Sequence, residues 1–276
     1  MSRAPHAKGS PALRVLGIDV GGSGVKGAIV DTVTGRFVGE RFRIATPDPA
    51  TPKAMARVVA RIVKHFAWEG PVGCGMPGPI KDGRVLALAN LDKSWIGVRA
   101  CEIYSEACGC PVTVLNDADA AGLAEMRFGA GRDLTGVVVI TTLGTGVGSA
   151  VFVNGMLVPN TEFGQMQING KRAEERAAAR IRKERGLSWK QWAKYLDEYL
   201  RAVENVLWPD AFIIGGGVSK KSGKFLPLLT VRTPVVAASM RNEAGIVGAA
   251  LGAACGDQPA GETPAIMKPR KAQNRR

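Results

Sequence analysis

Twice in this chain an apolar strand runs into a glycine-rich turn, and a second strand returns from it. The first instance is Leu13–Val20, then Gly21-Gly22-Ser23-Gly24, then Val25–Val30. The second is Gly136–Thr142, then Leu143-Gly144-Thr145-Gly146-Val147-Gly148, then Ser149–Val153. β-branched and aliphatic residues suit extended chain, and glycine lets it reverse. One such hairpin is ordinary; two predict a duplicated architecture with one hairpin per lobe. Each turn joins strand to strand, which excludes the strand-to-helix context of Rossmann and P-loop nucleotide motifs.

The remaining elements fall around these hairpins. Asp31–Gly35 reads as a turn and Arg36–Ile44 as a third strand. Thr51–Trp68 places Met55, Val58, Val59, Ile62, Val63 and Phe66 at helical spacing, with Thr51 to cap it and Pro52 at its first position. A short strand, Val72–Gly75, enters the turn Met76-Pro77-Gly78-Pro79. Val112–Leu115 is a buried strand ending at Asn116-Asp117, and Ala118–Phe128 is an alanine-rich helix. Helices are expected over Ala173–Arg185 and Ser188–Leu207. Ala211–Ile214 is a strand running into Gly215-Gly216-Gly217, and Ala244–Ala254 is a small-residue helix that closes the body.

Successive N–H groups at glycine turns form anion nests, and here each turn also carries hydroxyls. Asp19 precedes the first turn, and Ser23 and Lys26 lie in or after it; Thr142 and Thr145 lie in the second. The pair points to phosphate binding. Asp117, at the end of a buried strand, is placed to serve as a general base. Asn116 or Asp117 could equally cap the following helix, as could Asp119. Histidine chemistry has little to work with, since the chain holds only His6 and His65. Cys108-Gly109-Cys110 reads as a turn, because a zinc site would need further ligands nearby.

The net charge is +13. Gly256–Arg276 carries +3 and residues 1–13 carry +2, which leaves +8 on the body. Such a balance suits a polyanionic partner, or simply a soluble basic surface. Gly215–Arg241 holds Lys220, Lys221, Lys224, Arg232 and Arg241 and no acid, and Lys171, Arg172 and Arg176 follow the second hairpin. No apolar run approaches the ~20 residues of a membrane helix, so no membrane partner is expected. Five cysteines, an odd number, in a chain of 276 residues suggest a reducing cytoplasm. Both ends, 1–13 and 256–276, read as disordered tails.

The motifs together resemble one family. LGIDVGGSGVKG (16–27) and TTLGTGVGSA (141–150) are similar to the two phosphate motifs of the ROK sugar kinases, within the actin-like superfamily. LNDADAAGLAE (115–125) resembles the motif that binds sugar and carries the base. GMPGPI (75–80), NTEFG (160–164) and FIIGGGVSKK (212–221) resemble the turn beside the sugar, the ExGH sugar motif and the adenosine-side motif. NLDKSWIG, KFLPLL, RTPVV and NEAGIVGAA resemble the polyphosphate glucokinase and glucomannokinase branch, and the likeness spans about residues 14–255. No DNA-binding segment precedes the fold, so neither a repressor nor a nucleic-acid partner is expected.

The resemblance implies an α/β, two-lobed actin-like ATPase (ribonuclease H-like) fold with a central cleft. Residues 14–119 would form the small lobe, closed by a helix at 244–255, and 120–243 the large lobe. It implies transfer of a phosphoryl group from polyphosphate or ATP to the 6-hydroxyl of glucose or mannose, with Mg2+, by a homodimer. Asp117 would be the base. Gly78, Asn90, Asn116 and Glu162 would hold the sugar, with Gln165 and Gln167 in the same half-site. Asp19 would sit near Mg2+. Gly21, Gly22, Ser23, Gly24, Lys26, Thr142, Gly144, Thr145 and Gly146 would lie near phosphates. Gly215, Gly216 and Gly217, followed by Lys220, Lys221 and Lys224, would line the donor side. Gln165 and Gln167 stand where the family has His and Glu. That departure leaves open an ATP-only glucokinase, or a homologue that binds sugar or polyphosphate without turnover.

Overall fold

The computed structural model describes residues 14–88 and 91–255. The expected tails and Asn90 lie outside the described residues. The first hairpin is β1 (Arg14–Gly21) and β2 (Gly24–Asp31), paired antiparallel so that Gly21 faces Gly24 across a two-residue turn. β3 (Arg36–Phe37) and β4 (Phe42–Ile44) both pair with β2. The single strand expected over Arg36–Ile44 is therefore two pieces. Gly39 takes φ +88° between them, a left-handed conformation that extended chain cannot include.

α1 (Pro52–His65) starts as expected, with the Thr51 hydroxyl accepting the Ala54 N–H at 3.3 Å. It buries Met55, Val58, Val59, Ile62 and Val63 against the sheet. β5 (Val72–Met76) runs parallel to β1. A ribbon of β6 (Ile80–Lys81) and β7 (Arg84–Val85) follows, then α2 (Ala100–Cys108), which stops at Gly109 with φ +71°. β8 (Val112–Asn116) pairs parallel with β5, which completes the order β3-β2-β1-β5-β8.

α3 (Asp117–Phe128) leaves β8 directly and leads to the second sheet. There β9 (Val137–Leu143) and β10 (Val147–Val153) form the second hairpin, and β11 (Met156–Val158) extends it. After the ribbon β12 (Gln167–Ile168) and β13 (Lys171–Arg172) come α4 (Glu174–Ala177), α5 (Ala179–Glu184) and α6 (Trp189–Leu207). The helix expected over Ala173–Arg185 is thus broken. The Trp192 indole N–H donates to the Ala177 and Ala178 carbonyls at 3.1 and 3.3 Å, and Ala178 takes extended ψ 143°. β14 (Ala211–Gly215) pairs parallel with β9, and β15 (Val235–Ala237) with β14, giving the order β11-β10-β9-β14-β15. Both sheets are therefore an antiparallel hairpin extended on one side by two parallel strands.

α7 (Ala244–Cys255) returns to the first sheet and packs on β1, β5 and α3. The approach is backbone against backbone. A Cβ on Gly17 would lie 2.0 Å from the Ile246 carbonyl oxygen, one on Gly73 1.8 Å from that of Ala249, and one on Gly248 1.5 Å from that of Ala120. Glycine at these positions is what lets α7 and α3 sit between the two sheets, beside the cleft.

Candidate active site

β8 delivers Asn116 and α3 begins with Asp117, so the two side chains arise where a buried strand becomes a helix. Asn116 Oδ1 accepts the N–H groups of Ala118 and Asp119 at 2.8 and 3.0 Å. Asn116 is therefore the cap of α3. Its Nδ2 remains for the cleft, donating to the Gly78 carbonyl at 3.1 Å and toward Glu162 Oε1 at 3.4 Å. Capping by Asn116 leaves the Asp117 carboxylate free for chemistry.

Two cavities meet at Asp117. The larger, about 440 Å³, is lined on its sugar side by Gly78, Asn116, Glu162 and Gln165. On its phosphate side stand Gly21 and Gly22 of the first turn and Gly144, Thr145 and Gly146 of the second. The smaller, about 200 Å³, is lined by Asp19, Lys26, Gly215, Gly217 and Arg241. Asp117, Thr142 and Gly216 line both. Asp19 and Lys26 face each other across the first hairpin, and the Lys26 ammonium donates to Asp19 Oδ2 at 3.1 Å.

The carboxylates around Asp117 make a proton-rich cluster. Burial, then the charge of Asp19, pushes Asp117 up to about 7 against the opposing Ala118 N–H, with Glu162 and Asp119 adding to the rise. Burial, then Asp119 and Glu174, pushes Glu162 up to about 7. Burial raises Asp119 to about 6, although it accepts the Asn160 N–H. A carboxyl poised near neutrality can take a proton from a substrate hydroxyl and release it.

Several candidates lie elsewhere. Ser23, Gly24 and Gln167 line neither cavity. The Ser23 carbonyl accepts from the Arg43 guanidinium at 2.7 Å, and that guanidinium covers Gly24. Gln167 sits in β12 opposite Arg172, exposed. Lys220, Lys221 and Lys224 are exposed on a 3-10 turn, Gly217–Lys224, that leaves the smaller cavity. Of the other cations in the two basic runs, Arg176 is paired with Glu198 at 2.8 Å and Arg232 with Glu204 at 3.2 Å.

The sequence marks Arg172 only as one cation of a basic run and gives no sign of the remaining site residues. Arg172 reaches back from β13 to the cleft, donating to Gln165 Oε1 at 3.3 Å and pairing with Glu174 and Glu175 at 3.1 and 2.7 Å. Glu174, 8% exposed, also lines the cleft. Arg180 braces the second glycine turn through its guanidinium on the Thr145 carbonyl and its N–H on the Gly144 carbonyl. Glu125 borders the smaller cavity, but its oxygens accept the N–H groups of Ala130, Ser239 and Met240, so it holds backbone.

Residues 15–175 match the sequence profile of the family described as the ROK family. A polyphosphate glucokinase of Mycobacterium tuberculosis is 54% identical over 237 residues, 86% of this chain and 89% of that protein. The crystal structure of an inorganic polyphosphate/ATP-glucomannokinase from Arthrobacter sp. strain KM superposes with a TM-score of 0.84 at 47% identity, covering 88% of this chain and 98% of that one. A ROK family glucokinase from Streptomyces griseus, in complex with glucose and AMPPNP, superposes with a TM-score of 0.75 at 25% identity over 88% and 100% of the two chains.

Proposed function

Since the chain belongs to the ROK family and has its two-lobed actin-like ATPase fold, we propose that it is a glucokinase, moving a phosphoryl group from polyphosphate or ATP to glucose. The observation that carries this reading is Asp117 where the two cavities meet, the larger of them lined by the sugar half-site at one end and by both phosphate turns at the other. The relatives named above support the substrate class.

In this reading Asn116, Glu162, Gly78 and Gln165 orient the hexose so that its 6-hydroxyl meets Asp117. The Asp117 carboxylate accepts the hydroxyl proton as the oxygen bonds to the terminal phosphorus. The bond from that phosphorus to the bridging oxygen breaks, leaving a shortened polyphosphate or ADP. The N–H groups of the two glycine turns, with Thr142 and Thr145, hold phosphate oxygens where charge moves.

Mg2+ belongs to the proposal. The smaller cavity offers it carboxylate oxygens, Asp19 Oδ1 (Lys26 holds the other oxygen) and Asp117, with the Thr142 hydroxyl beside them. This donor set suits a hard cation that keeps waters and shares phosphates. Bound there, the ion would neutralise phosphate charge. Residues 14–119 with 244–255 form one lobe in this proposal and 120–243 the other, each holding one sheet. A homodimer in a reducing cytoplasm is also part of it, the second supported by the cysteine usage.

A coupled assay for glucose 6-phosphate tests the proposal, with ATP and polyphosphate supplied separately. Product with polyphosphate is expected. Product with ATP alone identifies an ATP-dependent glucokinase, and glucose binding without product with either donor rejects the enzyme reading.

A further inference from the structure

The loop that carries Glu162 is bolted to its own lobe. The Ser149 hydroxyl of β10 donates to the Thr161 carbonyl at 2.7 Å and accepts the Phe163 N–H at 2.9 Å, and the Thr161 hydroxyl donates to the Ser149 carbonyl at 3.1 Å. Glu162 must nevertheless stand at a fixed distance from Gly78, which belongs to the other lobe. Among the described residues two amide side chains, Asn116 and Asn160, span that gap. Asn116 does so through Nδ2, but it lines the cleft, and a bound sugar competes for the same hydrogen.

Asn160 lines neither cavity, so substrate does not compete for it. Its Oδ1 accepts the Ile80 N–H at 2.7 Å and its Nδ2 donates to the Ile80 carbonyl at 2.8 Å. The amide thus pairs with both backbone groups of one residue, as a neighbouring strand would. Ile80 is 8% exposed and belongs to the core of the first lobe. The Asn160 N–H in turn donates to Asp119 Oδ2 at 2.8 Å, in the first turn of α3. Asn160 holds φ +61°, a conformation that asparagine adopts more readily than most residues. Ile80 lies two residues after Gly78, and Asn160 two residues before Glu162.

We propose that Asn160 is a positioning residue of the sugar subsite, clasping Ile80 across the lobes so that Gly78 and Glu162 face one hexose at a set separation. This rests on the sugar-kinase reading above. Asn160 touches neither substrate and acts through the two loops it joins. The expected signature is a loss of affinity confined to the sugar.

Asn160→Gly tests it, because glycine accepts the left-handed backbone and deletes only the clasp. With two hydrogen bonds gone, the Michaelis constant for glucose is expected to rise about tenfold or more, and that for the phosphoryl donor to stay within about twofold. The rise in melting temperature that glucose gives the parent protein should shrink in parallel. Asn160→Asp provides a second arm. It is isosteric, keeps the acceptor for the Ile80 N–H and sets an oxygen against the Ile80 carbonyl, so glucose affinity should fall there too. A lower melting temperature with an unchanged glucose constant would mean a structural role only and overturn the proposal. Equal loss for glucose and donor would overturn it as well. A parent protein that makes no glucose 6-phosphate and gains no stability from glucose would instead reject the sugar-kinase reading, and this inference with it.

Discussion

At Asp117 the shape of the side chain and its proton affinity can be separated. Asp117→Asn keeps the shape and removes the acceptor, so turnover should fall by about 10²–10⁴ with glucose affinity little changed. Near-parental turnover would reassign the base. Asp117 must be ionised to work, and it is held up to about 7. The kcat/KM for glucose should therefore climb as pH rises through that value and flatten above it. Stability should move the opposite way. Asp117, Asp119 and Glu162 bind protons more tightly in the folded protein than in the unfolded chain, where carboxyls titrate near 4. By linkage the stabilising effect of these protons is full below about pH 4 and is lost as pH rises toward about 7. Asp119→Asn carries no titrating proton, so its melting temperature should fall less than the parent's between about pH 5 and pH 8; an equal fall would remove Asp119 from the cluster. The two glutamines part company at this scale. Gln165 lines the cleft and leans on Arg172, whereas Gln167 lies outside it. Gln165→His, which restores the family residue, should lower the glucose KM. Gln167→Glu should leave it within about twofold, as for most surface changes. A glucose KM that follows Gln167 would count against this placement.

At the level of elements, the two central helices depend on missing side chains. A Cβ on Gly248 would lie 1.5 Å from the Ala120 carbonyl oxygen, so Gly248→Ala must push α7 from α3. Overpacking of this kind costs about 1–3 kcal/mol or more, and α3 carries Asp117. A lower melting temperature together with lower turnover is expected. Gly223→Ala, with nothing within 4 Å, is the control and should melt like the parent. Equal melting of Gly248→Ala and the parent would show that the two helices have room to yield. The hairpins around Gly21 and Gly144 were legible in the sequence because strand propensity and glycine turns are local. So were α1, with Thr51 and Pro52, and α6, expected over Ser188–Leu207 and found over Trp189–Leu207. The break at Ala178 was not, since it depends on an indole 14 residues away in sequence. Asn116 could be read as cap or as ligand, and the structure has it cap with one end and face the cleft with the other. Arg172 and Glu174 were invisible as cleft residues, because only the chain's return through β12 and β13 brings them to Gln165.

For the whole molecule the question is where the surplus positive charge acts. The body holds +8, yet several of its arginines are engaged by acids: Arg172, Arg176, Arg180, Arg201 and Arg232 each make an ion pair. Lys220, Lys221 and Lys224 make none among the described residues, and they stand exposed on the turn that begins at Gly217, at the edge of the smaller cavity. A nucleotide needs a surface for its base and cations for three phosphates. A long polyphosphate needs cations that continue outward from the cleft, and these lysines are so placed. Binding through many phosphates releases many counterions, so affinity falls steeply with salt. Raising ionic strength should therefore increase the Michaelis constant for polyphosphate more than that for ATP. Replacing all three lysines with glutamine should flatten the polyphosphate dependence by up to about 3 in log–log slope, one for each phosphate that a lysine neutralises. The same triple variant should keep its ATP constant and its glucose constant, because the lysines line neither cavity. If the triple variant and the parent respond to salt alike, the lysines are a solvated face, and the phosphate chain must leave the cleft by the glycine turns and Arg241 instead.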